Sequence, residues 1–375
     1  MDAIGICSAG CLANGQNPIT QSQRCRFLTA IRSTAPKAHC DRSGTATAQD
    51  RSSQGRSAEF YGKRGACRFI PFATQAGRPA NLAGSLAELA HHLGSADNDH
   101  MAQLENLAGK FHSLHESGCF VIPNPWDIGT AIYLERLGFK ALATTSAGFA
   151  FSRGEPDGGV ARDEMLAHIR EIVDATSLPV NADFQAGYAD EPEEVARNVE
   201  LCIQTGAAGL SIEDNSGYSD QPLYEKELAI DRIRAARSAI DSSKTGVVLT
   251  GRCEAWLVAH GDPLRTALDR LVAYAEAGAD CLYAPGVTKP NEIAQIVKTV
   301  APKAVNVLIS GFNCQLTVLE LANLGVRRIS VGSGLALAAW GAFVRAAREI
   351  KTNSTFDLLA NNAPSADLNE LFHRA

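Results

Sequence analysis

From Cys119 to about residue 350 the chain repeats one pattern: a short β-rich apolar run, a polar or glycine break, an amphipathic helical stretch, then the next run. This rhythm constrains the fold most, because strand–helix alternation at a regular spacing is the mark of stacked βα units. The runs are Cys119 to Pro123, Ala141 to Thr145, Pro179 to Asp183, Gly209 to Glu213, Gly246 to Arg252, Cys281 to Ala284, Ala304 to Ile309 and Arg328 to Val331. Gly138, Gly206, Gly278 and Gly325 precede the even-numbered runs, where a helix needs a residue able to take positive φ before the chain turns back.

Eight such units predict an α/β fold, a (β/α)8 TIM barrel, which typically takes ~250 residues and whose strands, covered on both faces, read as continuous apolar runs. A doubly wound open sheet fits less well. No Gly-x-Gly-x-x-Gly follows the first run, and polar residues close nearly all eight runs rather than marking one switch point.

The barrel is expected over residues 101–350, with a helical segment over 351–375. Residues 1–100 show no sustained apolar period and are expected to be disordered. They carry 11 Lys+Arg against 7 Asp+Glu and five of the ten cysteines. They read as a leader or an over-called extension ahead of a natural start at Met101, with an organellar transit peptide as the functional alternative. Cys7 and Cys11 have metal-like spacing, but no second pair follows at finger distance.

A net charge of −6 argues against a nucleic-acid partner, which needs a basic face. No apolar run approaches the ~20 residues of a membrane span. Cys119, Cys202, Cys253, Cys281 and Cys314 lie in or beside apolar runs and read as buried thiols in a reducing compartment. The expectation is a cytoplasmic protein with a small-molecule partner.

In a barrel of this kind the carboxyl ends of the strands build the active site. Here they offer Asn124, Trp126 and Asp127; Thr145, Ser146, Ala147 and Gly148; Asp183; Glu213 and Asp214; Arg252 and Glu254; then Pro285, Ser310 and Ser333. Acidic groups on adjacent strands beside one cation suggest a hard divalent ion holding an anionic substrate. Mg²⁺ suits oxygen-rich sites and keeps several waters, so few direct protein ligands are needed; Mn²⁺ is the alternative. Asp127 reads as a helix N-cap. Trp126 reads as pocket lining or rim packing, and Glu254 as an outer partner of the metal or a partner of Arg252. Cys253 alternates with Arg252 and should face the helices; His260 reads as surface. No run ends in lysine, since Lys140 starts the second run and Lys289 lies past the sixth, which argues against Schiff-base chemistry.

Over about residues 105–350 the chain resembles the isocitrate lyase and phosphoenolpyruvate mutase superfamily. Ser146-Ala147-Gly148 looks like the family's Ser-Gly-Gly substrate turn, and Asp157 in Glu-Pro-Asp-Gly resembles its loop aspartate. The Asp-x-Asp-x-Gly-Tyr motif is matched by Asn181-Ala182-Asp183 followed, after an insertion, by Gly187-Tyr188. Ile212-Glu213-Asp214 matches Ile-Glu-Asp, and Arg252 with Glu254 matches an Arg followed by an acid.

The resemblance implies that Asp157, Asp183 and Glu213 hold Mg²⁺. It implies that Ser146, Ala147, Gly148 and Arg252 bind a substrate carboxylate or carbonyl, with Trp126 and Asn215 beside them. Arg252, Glu254 and Tyr218 would carry the chemistry; in the segment after strand four, the family's lid, Tyr218 and Tyr224 are the nearest proton donors, or else pack that lid. In this register Asn181 replaces the family's first aspartate. A second departure lies after strand four: the lyases that cleave isocitrate or methylisocitrate carry Lys-Arg/Lys-Cys-Gly-His, and here the segment reads Asn215-Ser-Gly-Tyr-Ser-Asp-Gln-Pro-Leu-Tyr224.

Three functions follow. The first is a Mg²⁺-dependent lyase or decarboxylase for a small 2-oxo or 2-hydroxy acid, working through an enolate. The second is a mutase or hydrolase at a phosphonopyruvate-type P–C bond; the third is a non-catalytic metabolite-binding barrel. The apolar residues of 335–350 extend around more of a helix than one barrel contact covers. With residues 355–372, where Ser365 is the expected cap, they predict a homo-oligomer, a dimer or tetramer, with C-terminal helices that swap between subunits as the family's do.

Overall fold

The computed structural model describes residues 102–259, 261–311 and 315–373. The expectations for residues 1–100, and those for His260 and Cys314, lie outside the described residues.

All eight expected runs are strands. They are β1 (Phe120–Ile122), β2 (Leu142–Ala143), β3 (Val180–Asp183), β4 (Gly209–Glu213), β5 (Val248–Arg252), β6 (Cys281–Tyr283), β7 (Ala304–Leu308) and β8 (Arg328–Ser330). They form one parallel sheet in the order β1-β8-β7-β6-β5-β4-β3-β2. The last seam is drawn together by the Ala143 N–H donating to Pro123 O at 3.0 Å and by Asn124 Nδ2 donating to Thr144 O at 2.8 Å. The fold is a (β/α)8 barrel.

Helices α2 (Ile128–Arg136), α3 (Ser146–Arg153), α4 (Arg162–Asp174), α5 (Pro192–Ile203), α6 (Lys226–Ser243), α7 (Pro263–Glu276), α8 (Pro290–Val300) and α9 (Val318–Asn323) follow their strands. Local chemistry sets their starts. Asp127 caps α2 through a reciprocal box, its Oδ1 accepting from Thr130 N at 2.7 Å, as expected for an N-cap. Pro192 opens α5 with Glu193 and Glu194 in the positive first turn. Gly206 (φ 88°) and Gly325 (φ 89°) make the left-handed step from helix to strand.

Ahead of the barrel, α1 (residues 102–116) places Leu104, Leu107, Ala108 and Phe111 on one face at helical spacing, all buried. Leu107 and Phe111 pack with Phe120, Ala141, Ala208 and Val248 at the amino ends of the strands, so α1 stoppers the barrel floor. Phe111 is fully buried, which stabilises the closure by roughly 1.5–3 kcal/mol.

After β8, α10 (Gly334–Asn353) is followed by a 3-10 turn (Asp357–Asn361) and α11 (Ser365–Phe372). Glu349 fixes the intervening turn by accepting from Thr355 Oγ1, Asp357 N and Leu358 N. Ser365 is not the cap of α11: Pro364 holds that position, without a side-chain bond, and Ser365 is the first helical residue. Phe372 lies against Gly129 at the start of α2. Leu337, Trp340 and Phe343 of α10 remain exposed, with Phe356 beyond them. Among the described residues no helix is long and apolar enough to cross a membrane. Cys119, Cys202, Cys253 and Cys281 are free thiols, the last three buried.

Candidate active site

Alternation along each strand sends every second side chain into the barrel. On β3 that puts Asn181 and Asp183 in the lumen; on β4, Ser211 and Glu213; on β5, Thr250 and Arg252. The upper members of these pairs meet at the mouth. Arg252 Nη1 lies 3.1 Å from Asp183 Oδ1 and 3.1 Å from Glu213 Oε2, while its Nε donates to Glu254 Oε1. The other oxygen of Asp183 accepts from Ser146 N at 2.9 Å and Ser146 Oγ at 2.8 Å, so this carboxylate is clamped from two strands. Tyr283 lies under the guanidinium, its ring centroid 5.3 Å from Cζ.

The cavity here is ≈ 150 Å³, below the roughly 300–1,000 Å³ of drug-sized ligand sites, and admits a small acid rather than a coenzyme. Asp157, Asp183, Arg252, Ser146 and Ala147 line it. Glu213 and Glu254 contact Arg252 without lining the cavity themselves, and Glu254 is 2% exposed. Glu254 is thus a partner of Arg252, one of its two expected roles.

Electrostatics follow from the crowding. Burial pushes the Glu213 carboxyl well above the usual carboxylate range, against the pull of Arg252, and raises Glu254 in the same way. Asp157 is raised by desolvation and by the Asp183 charge. Burial alone would lower the guanidinium of Arg252, but Glu213, Glu254 and Asp183 outweigh it and hold it charged.

Asp157, Asp183, Glu213 and Glu254 thus gather oxygen donors around one guanidinium. That donor set fits a hard divalent ion. Among the described residues no three His, Cys, Asp or Glu side chains converge into a preformed metal cage.

Other expected site residues lie elsewhere. Gly148 is buried beneath the turn, where an added Cβ would meet Thr145 Cγ2 at 2.6 Å; its N–H already donates to Thr145 Oγ1. Of the three turn residues, Ser146 and Gly148 therefore spend their N–H groups inside the protein. Trp126 packs near Gly148, outside the cavity lining. Asn215 closes its own turn by accepting from Gly217 N at 3.0 Å. Tyr218 is 57% exposed and donates to Asp190 Oδ2 at 3.2 Å; Tyr224 donates to the other oxygen of Asp190.

Asp214 points outward, buried against Arg270 Nη1 (3.1 Å) and Tyr274 OH (2.7 Å), and is an anchor of the wall. Cys253 is buried in the outer core, on the helix side as expected.

The register of the strand-three motif also changes. Asp183 stands at the mouth, whereas Asn181 lies two residues deeper, 5% exposed, with Oδ1 unpartnered. Counting back from Gly187-Tyr188 without an insertion places the motif's two acidic positions on Asp183 and Gln185. The departure from the family pattern falls on Gln185, and Asn181 is a lumen residue below the site.

Sequence reasoning missed that lower layer. Thr144, Asn306, Arg328 and Ser330 line the inner cavity. Their signal was present, since polar residues recur at every second position inside runs read as continuously apolar.

The phosphoenolpyruvate phosphomutase family matches residues 111–351. The chain belongs to this family. A candidate lyase/mutase from Burkholderia cenocepacia J2315 has a similar solved structure, with a TM-score of 0.70 and 46% identity, covering 73% of this chain and 98% of that one. An uncharacterised protein of Mycobacterium tuberculosis is 34% identical over 261 residues, 69% of this chain and 94% of its own. The 2-methylisocitrate lyase of Escherichia coli is 34% identical over 205 residues, 52% of this chain and 68% of its own. The chain is therefore an enzyme of the isocitrate lyase/phosphoenolpyruvate mutase superfamily.

Proposed function

We propose that this enzyme is a Mg²⁺-dependent carbon–carbon lyase or decarboxylase for a small 2-oxo or 2-hydroxy carboxylic acid. The observation that carries the reading is the Asp183–Arg252–Glu213 cluster at the mouth of a cavity sized for a small acid. Asp157, Asp183 and Glu213 would hold the ion, directly or through water. When bound, Mg²⁺ supplies positive charge beside the oxygen on which an enolate develops.

The chain's own residues do the rest. Ser146 fixes the orientation of Asp183 through two hydrogen bonds, so that carboxylate is preorganised. Glu254 locks the Arg252 fork from behind, which directs Nη1 to the site. Asp190 holds the hydroxyls of both lid tyrosines, so Tyr218 or Tyr224 would have to leave that carboxylate to deliver a proton to the departing carbon. The Cys and His of the methylisocitrate-cleaving motif are absent from this lid, which supports a different substrate from that of the E. coli relative.

A second reading, P–C bond chemistry on a phosphonopyruvate-type acid, is favoured by the family match and that lid. A panel of oxaloacetate, 2-methylmalate-type acids and phosphonopyruvate, assayed with Mg²⁺ and again with EDTA, separates the two. EDTA-sensitive cleavage of a carbon acid is expected. Turnover of phosphonopyruvate alone would transfer the assignment to P–C chemistry, and no turnover at all would sink both.

We also infer assembly through the C-terminal segment. Trp340 and Phe343, stacked edge to face at 5.5 Å and 40% and 62% exposed, form an apolar patch that a second subunit would cover. Light scattering should give a dimer or tetramer, reduced by Trp340→Glu. A monomeric mass for both proteins would refute it.

A further inference from the structure

Two arginines line the cavity, and only the upper one is balanced by acids. Arg328, on β8, is 3% exposed and ends one layer beneath Arg252. Its Nη2 donates to Thr250 Oγ1 at 2.9 Å, and Thr250 lies two residues below Arg252 on β5, roughly 6.6 Å at ~3.3 Å per residue. Its Nε donates to Asn306 Oδ1 at 3.0 Å, and Nη1 donates to His115 Nε2 at 3.3 Å. His115 Nδ1 lies 2.7 Å from Phe111 O and must carry the ring proton, so Nε2 meets Arg328 as a neutral acceptor. Phe111 supplies a ring 6.0 Å from the guanidinium carbon.

Among the described residues no carboxylate pairs with Arg328. A buried guanidinium with only neutral partners is an unbalanced charge, which is costly in a low-dielectric interior. Three of its five N–H groups are used, leaving two. A second unsatisfied group shares the space: Asn181 Oδ1 is buried without a partner and also lines the cavity.

We infer that the inner end of the cavity is an anion site, in which Arg328, held by Asn306 and Thr250, takes a small monoanion beneath the substrate position. A water or hydroxyl accompanying that anion satisfies Asn181. The anion has two sources, a free ion such as chloride or a carboxylate reaching down from a bound acid. Neither requires the lyase reading, and binding is measured without turnover.

The test is thermal melting of the full chain in a buffer whose only anion is too bulky to enter, titrated separately with chloride and with acetate. A saturable rise of about 5–10 °C is expected at a hundredfold excess over Kd. Chloride and acetate both acting identifies a general monoanion site; acetate alone identifies a carboxylate subsite. Asn306→Asp places a carboxylate beside Arg328 Nε within the same volume. It should melt higher than wild type without added anion and lose the response. Arg328→Met should lose the response as well. A flat wild-type titration, or an undiminished rise in Asn306→Asp, would overturn the proposal whether or not Arg328→Met folds.

Discussion

At the mouth of the barrel Arg252 is hemmed in by Asp183, Glu213 and Glu254, with Asp157 close by; one layer down, Arg328 meets an amide, a hydroxyl and a neutral imidazole. The two residues have the same chemistry and opposite surroundings. The acids above make the upper arginine a brace that fixes their orientation. Surplus positive charge below leaves the lower arginine able to attract an anion. Strand alternation produces both, because β5 contributes Thr250 to the lower layer and Arg252 to the upper.

The comparison can be broken most sharply at the mouth. Asp183→Asn keeps the shape and an acceptor for Ser146 but removes the charge. Steady-state assays on whichever acid turns over should show kcat down by roughly 10²–10³-fold, the usual loss on removing one preorganised charge-stabilising group. Near-wild-type activity would mean that the acidic layer does not handle the reacting charge.

Glu254→Gln tests the brace itself. It should weaken Mg²⁺ binding by about 10–100-fold, as outer partners of metal sites do, measured by isothermal titration with circular dichroism to establish the fold. Unchanged affinity would reduce Glu254 to packing.

The smallest effect belongs to the lower layer. Burial pulls the pKa of His115 down to about 3, and that of His168, stacked on Phe149 at 3.8 Å, to about 4. A depressed histidine pKa means that the unfolded chain takes up protons first. The stability contributed by the neutral rings is full above about pH 6.5 and falls as pH drops toward those values, by on the order of 1 kcal/mol per pH unit for each ring. Urea melts at pH 7, 6 and 5 should trace this slope, and His115→Gln should cut it by about half, leaving the His168 share. An equally steep slope in that variant would place the acid sensitivity elsewhere.

The barrel was legible in the sequence because each strand is buried on both sides and each helix on one, so burial is written into hydropathy. The mouth was legible where charge interrupts an apolar run, as at Asp183, Glu213 and Arg252. Arg328 was not, because it opens a run instead of ending one, and its partners His115 and Thr250 are 213 and 78 residues away in the chain. The strand-three register was misread for a related reason: Asn181 and Asp183 both face the lumen, and only their depth separates them. Tyr218 drew notice as a hydroxyl near the site, but a sequence does not reveal that Asp190 holds it.

The stopper formed by α1 also governs traffic. With Leu107 and Phe111 seated on the strand starts, the barrel is a blind well. A bond broken inside it leaves two fragments with one exit between them, and the deeper fragment waits until the shallower has gone. Product-inhibition patterns would then be ordered, with the last fragment to leave competing directly against incoming substrate.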